Sequence, residues 1–109
     1  MPKTNNNMQE LQFLEQNLQN ILLQKQAFEL ELSETESAIK ETESSDGEVF
    51  KLIGQIMVKS NKESILEELT NKKKFLELRL KNFENQEKTF SEKIESLRKK
   101  ILDKDKQKK

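Results

Sequence analysis

The sequence has no cysteine, histidine, tryptophan or tyrosine, one proline, two glycines and no net charge. Without cysteine there are no disulfides and no thiol nucleophile. Without histidine the commonest metal ligand and the side chain that titrates near neutrality are missing. Carboxylates and lysines are the remaining catalytic material. Two glycines cannot build a phosphate-cradling loop, and neither G-x-x-x-x-G-K-[ST] nor G-x-G-x-x-G occurs. These absences predict a protein that is not an enzyme and holds no cofactor and no metal. No stretch approaches the ~18 consecutive apolar residues of a bilayer span. The opening Met1-Pro2-Lys3-Thr4-Asn5-Asn6-Asn7 has no apolar signal core, and no N-x-[ST] sequon is present. The expectation is a cytoplasmic protein with no membrane partner.

Apolar residues are also scarce, at 32% of 109 positions, against about 45–50% in an ordinary globular domain. Such a chain is either disordered or elongated. Disorder pairs low hydrophobicity with high net charge, whereas here 20 bases balance 20 acids and the apolar residues are ordered along the chain. Elongation is favoured.

From about Met8 to Glu43, Leu11, Leu14, Leu18, Ile21, Lys25, Phe28, Leu32, Thr35, Ile39 and Thr42 alternate at spacings of three and four. A repeat of 3.5 residues keeps one stripe of a helix facing a partner. From about Asn61 to Leu102 the arrangement recurs with Leu66, Leu69, Lys73, Leu76, Leu80, Phe83, Glu87, Phe90, Ile94, Leu97 and Ile101. Ser60-Asn61-Lys62-Glu63 has the capping-box pattern, with Ser60 placed to accept from the amide of Glu63. For the first helix the cap candidates are Asn5, Asn6 and Asn7.

Between the helices the period changes. Ser44-Ser45-Asp46-Gly47 is a breaker cluster. The stretch from Glu48 to Lys59 then carries two short runs rich in β-branched and aromatic residues around Gly54, which reads as two strands joined at a turn where glycine meets a positive φ. The chain is thus expected to be mainly α, one domain over 1–109: helices at 8–43 and 61–102, a hairpin at 48–59 and a tail at 103–109. Helix 2 folds back antiparallel on helix 1, with seam layers whose numbers sum to 108. At ~1.5 Å per residue each arm of roughly 36 residues makes a rod about 55 Å long. Lys25 and Glu87 then fall in adjacent layers. Either they pair, fixing register at some cost in stability, or their stems reach out to water.

Two features call for something outside the monomer. The hairpin carries Val49, Phe50, Leu52, Ile53, Ile56, Met57 and Val58 on both faces, and an isolated hairpin is marginal in water. Hairpins from several chains combining into a sheet or barrel would cover the faces and close the edges. Near the chain termini, Met8, Phe13, Leu22, Leu23 and Leu102 add apolar residues the seam does not need. They either widen the seam or form a partner site. Charge is uneven as well: residues 29–48 hold eight acids and one lysine, residues 98–109 seven bases and two acids. The basic run lacks the aromatics that stack on bases, so no nucleic-acid partner is expected.

A heptad helix, the segment Val49-Phe50-Lys51-Leu52-Ile53-Gly54-Gln55-Ile56-Met57-Val58, and a second heptad helix together resemble the β subunits of prefoldin, the archaeal and eukaryotic chaperone family. Gln55 stands where the family often has proline. The resemblance implies a long antiparallel two-helix coiled coil whose hairpin oligomerises into a β-barrel, with α subunits and further β subunits in an α2β4 hexamer. It implies an ATP-independent holdase that binds unfolded client proteins at the coiled-coil tips and delivers them to a group II chaperonin. Carried over, Val49, Phe50, Leu52, Ile53, Ile56 and Val58 form the barrel, and Met8, Leu11, Phe13, Leu14, Leu18, Leu97, Ile101 and Leu102 lie toward the client-binding tips. The alternative is a structural coiled-coil tether or scaffold without chaperone activity.

Overall fold

The computed structural model describes residues 3–107, with side chains from 6 to 103. Its elements are α1 (Lys3–Glu43), β1 (Val49–Ile53), β2 (Ile56–Ser60) and α2 (Lys62–Gln107). The fold is mainly α: two long helices packed together plus one antiparallel hairpin. Both helices run past their expected ends. No glycine or proline interrupts Lys3 to Met8, so Asn5, Asn6 and Asn7 lie inside α1 instead of capping it. Nothing after Leu102 breaks the period either, and lysines suit the negative end of a helix dipole, so α2 continues to Gln107.

The chain forms two compact units, residues 1–26 with 81–109 and residues 27–80. In the first, the start of α1 packs antiparallel against the end of α2. Leu11, Leu14, Ile94 and Leu97 are buried together, with Leu18, Phe90 and Ile101 against them. Leu11 with Leu97 and Leu14 with Ile94 obey the 108 sum of the heptad layers. Ile21 and Phe83 are buried in the same unit. Lys25 and Glu87 do pair, Nζ to Oε2 at 3.3 Å.

In the second unit the end of α1, the hairpin and the start of α2 come together. Leu76 and Leu80 are buried, Leu76 almost completely. Thr35, a polar residue in the seam, is buried too, and its hydroxyl donates to the carbonyl of Glu31 at 2.8 Å. Thr42 does the same to Ala38 at 2.7 Å. Back-bonding to the preceding turn lets threonine occupy an apolar stripe without an orphaned hydroxyl. At the seam position Lys73, the ammonium sits 3.7 Å from Glu36, and Glu31 meets Lys72 at 3.1 Å.

The helix ends differ from the capping-box expectation at one point. Asn61, not Ser60, caps α2: its Oδ1 accepts from the Ser64 amide at 2.7 Å, and its carbonyl from the Ile65 amide at 3.1 Å. Ser60 is already held in the hairpin opposite Val49, so the helix begins one residue later. Lys62, at the start of α2, donates to the carbonyls of Glu43 at 2.7 Å and Ser45 at 3.2 Å, serving carbonyls that the end of α1 leaves open.

Candidate functional site: the hairpin and the terminal helix faces

The hairpin pairs Val49 with Ser60, Phe50 with Lys59, Lys51 with Val58, Leu52 with Met57 and Ile53 with Ile56. The turn is therefore two residues, Gly54-Gln55. Gly54 sits at φ 61°, and among the described residues no non-glycine residue has positive φ. Positive φ at the first turn residue alone is the pattern of a type II′ turn, whose twist matches that of the strands it joins.

Alternation then assigns the faces. One carries Val49, Lys51, Ile53, Ile56, Val58 and Ser60, the other Phe50, Leu52, Met57 and Lys59. Neither is covered: Leu52, Ile56 and Met57 are each about two-thirds exposed, and no residue of either strand is buried. All six expected barrel residues thus lie on this one hairpin, Val49 half-buried and Phe50, Leu52, Ile53, Ile56 and Val58 exposed. Its two lysines are both paired, one at mid-strand and one near the root. Lys51 reaches Glu68 of α2 at 2.8 Å, and Lys59 meets Glu48 at 3.0 Å. Beside β1 a groove of about 590 Å³ opens, floored by Ala38, Thr42, Ile65 and Leu69 and bordered by Phe50 and Leu52.

The residues expected at the client end divide into two groups. Met8, Phe13 and Leu102 are exposed. Leu11, Leu14 and Leu97 are buried in the seam, and Leu18 and Ile101 are half-buried against them. The off-seam Leu22 and Leu23 are exposed as well. Next to them a groove is lined by Leu18, Leu22 and Ile94, with Glu15 and Arg98 on its rim 3.6 Å apart.

Three exposed apolar side chains escaped the seam reasoning: Leu30, Phe75 and Leu78 in the second unit. The signal was present, because each stands two residues beyond a seam position and so on an outward helix face. Among the described residues no group of three or more Asp and Glu is placed to hold a metal ion, and no helix is long and apolar enough to cross a membrane.

The sequence matches the prefoldin subunit family over residues 5–108. The prefoldin β subunit of Archaeoglobus fulgidus is 36% identical over 102 residues, 92% of this chain and 88% of that protein. That of Thermococcus onnurineus is 42% identical over 94 residues, 84% of this chain and 81% of that one. The crystal structure of the prefoldin β subunit from Thermococcus strain KS-1 superimposes with a TM-score of 0.88 at 36% identity, covering 94% of this chain and 92% of that chain. A single-hairpin fold with apolar strands, matched over nearly its whole length, places this chain in the prefoldin family as a β-type subunit.

Proposed function

We propose that the chain works as the β subunit of an ATP-independent holdase in the cytoplasm. It assembles through its hairpin with α-type subunits and further β subunits in an α2β4 hexamer, holds non-native proteins at the helix ends bearing the termini, and hands them to a group II chaperonin. The observation that carries this reading is a hairpin of two five-residue strands with apolar side chains on both faces and not one residue buried. Val49, Phe50, Leu52, Ile53, Ile56 and Val58 supply the surface that other hairpins cover, and such burial contributes about 25 cal/mol per Å².

Client contact falls first to Met8, Phe13 and Leu102, which already face solvent. Leu11, Leu14, Leu18, Leu97 and Ile101 reach a client only where the helices part. A few exposed side chains per subunit bind weakly, and several subunits holding one chain convert weak contacts into avidity. Methionine and phenylalanine suit that task because they repack against many shapes. Release then needs no nucleotide, only a competitor for the client.

The test is to mix the chain with an α-type prefoldin subunit, measure the mass of the complex, and follow aggregation of several unrelated denatured proteins. A hexamer that suppresses aggregation of all of them is the expected result. A complex of the right mass that protects none of them would make the chain a tether instead.

A further inference from the structure

Opposite its seam, α1 carries a second heptad stripe. Gln9, Phe13, Gln16, Asn20 and Leu23 alternate at spacings of four and three, and all five are exposed. That spacing presents them to a helix, as the seam residues are presented to α2. Gln12, Gln19 and Gln26 flank the stripe on one side, Asn17 and Gln24 on the other. Between Leu11 and Gln26 the chain has two charged residues, and both are engaged with α2: Glu15 lies 3.6 Å from Arg98 and Lys25 lies 3.3 Å from Glu87. The outward face of α1 in the first unit is thus free of charge over about four turns. In the same unit α2 turns Lys81, Lys88, Glu92, Glu95 and Lys99 to solvent.

We infer that this stripe docks on the same stripe of a second copy, antiparallel and centred on Leu18, and that the contact covers Phe13 while no client is held. This rests on the holdase reading and adds its resting state. A face without charge gives a charged partner nothing in return for desolvating its ions, and among the described residues no other outward helix face is uncharged over such a length. Centring on Leu18 sets Phe13 opposite Leu23 and Gln16 opposite Asn20, each twice by the two-fold symmetry. Apolar meets apolar, and the amides supply each other's donors and acceptors. Glu10, at the edge, falls opposite Gln24. A parallel pairing would instead lay residues 29–48 of both copies side by side, with eight acids and one lysine in each, and like charges in juxtaposition are costly. Polar residues in such a stripe fix its register and weaken it, which suits a contact that a client must displace. It uses no hairpin residue, so the α-type subunits keep their places in the assembly.

The chain has no cysteine, so introduced thiols report the contact. Separately tagged Gln16→Cys and Asn20→Cys copies are assembled together with an α-type subunit into complexes of full mass and mildly oxidised, because a disulfide forms only between closely apposed backbones. The expected product is the mixed disulfide dimer, in excess of the one-half share that random pairing of equal copies gives. Adding Leu23→Glu to both copies should abolish it without changing the mass of the complex, and an excess of denatured client should suppress it. Asn20→Cys homodimers in excess of the mixed dimer, no disulfide in complexes of full mass, or a mixed dimer that survives Leu23→Glu would each overturn the contact. A mixed dimer that client leaves untouched, while aggregation is still suppressed, would overturn the covering of Phe13. Complexes that protect no client refute the holdase reading instead, and the mixed dimer then decides the contact by itself.

Discussion

Lys25 and Glu87 sit in a stretch of the seam, that of the first unit, otherwise filled by leucine, isoleucine and phenylalanine, 3.3 Å apart with 21% and 30% of their side chains exposed. At that distance Coulomb attraction is about 1 kcal/mol in bulk water and about 5 kcal/mol at an effective dielectric of 20. Desolvation and the ordering of two long side chains take back most of the larger figure. Exposed pairs measure about 0.2–1 kcal/mol, whereas breaking a buried pair costs about 3–5 kcal/mol. A pair less than one-third exposed falls between, with a coupling of about 1 kcal/mol. Lys25→Met keeps the aliphatic stem and strands the Glu87 carboxylate, so it should cost about 1–2 kcal/mol. Glu87→Leu should cost less, because the Lys25 stem is long enough to carry its ammonium to water. The double variant should return to the parent's stability or exceed it, since apolar replacement of an ion pair is often neutral or stabilising. Urea unfolding of the four proteins, followed by far-ultraviolet circular dichroism at one fixed protein concentration, gives the coupling directly. In thermal unfolding, 1 kcal/mol corresponds to roughly 4 °C for a chain of this size. A coupling below about 0.3 kcal/mol, within the error of additivity, would mean that both groups are simply hydrated and that the contact does not hold the seam.

Gly54→Ala forces a left-handed φ on an L side chain at about 1–2 kcal/mol. No atom lies within 4 Å of the added carbon, so the cost is backbone strain, and Gly54→Asn should restore part of the lost assembly in sedimentation. Asn61→Ala removes the α2 cap and should destabilise by about 1 kcal/mol, while Ser60→Ala should stay within about 0.5 kcal/mol; equal losses in thermal unfolding would reinstate Ser60 as the cap. Met8→Ser with Phe13→Ser should leave the melting temperature nearly unchanged, because both side chains are exposed, yet weaken suppression of client aggregation. Unimpaired suppression would remove these two residues from the client surface.

The seam could be read from the sequence because a two-helix packing has one dominant variable, the 3.5-residue period. Leu11, Leu14, Ile21, Leu76, Leu80, Phe83, Ile94 and Leu97 are all seam positions and all buried. The hairpin was equally legible, from the change of period at Glu48 and the glycine that its turn requires. Helix ends were not, since caps depend on competition between neighbours: Ser60 was a sound cap candidate until its pairing with Val49 claimed it. Leu14 and Leu97 show a different limit. A resemblance places them toward the client end, but heptad logic alone buries them, and only packing decides that the seam keeps them. Leu30, Phe75 and Leu78 went unnoticed because a seam-first reading assigns outward positions to solvent without asking what stands there.

The zero net charge hides a division with consequences for assembly. Residues 27–80, which include the hairpin, hold twelve acids and eight bases, and the remaining residues hold eight acids and twelve bases. Copies that meet through their hairpins therefore bring together units of net charge −4. Treated as centred about 20 Å apart in water, two such units repel by roughly 3 kcal/mol. Roughly half of that survives at ~0.01 M salt, where the Debye length is about 30 Å, and under a tenth at ~0.15 M, where it is about 8 Å. A single exposed ion pair between subunits contributes less than this difference. Self-association of the chain should consequently tighten about tenfold between those salt concentrations, with apolar burial and strand pairing overcoming a repulsion that salt removes. Sedimentation equilibrium over a salt series measures it. A nucleic-acid-binding arm would show the opposite trend in its binding, because salt weakens contacts that release counterions. Dissociation of the assembly on adding salt would mean that ion pairs, not the exposed apolar hairpin, hold the subunits together.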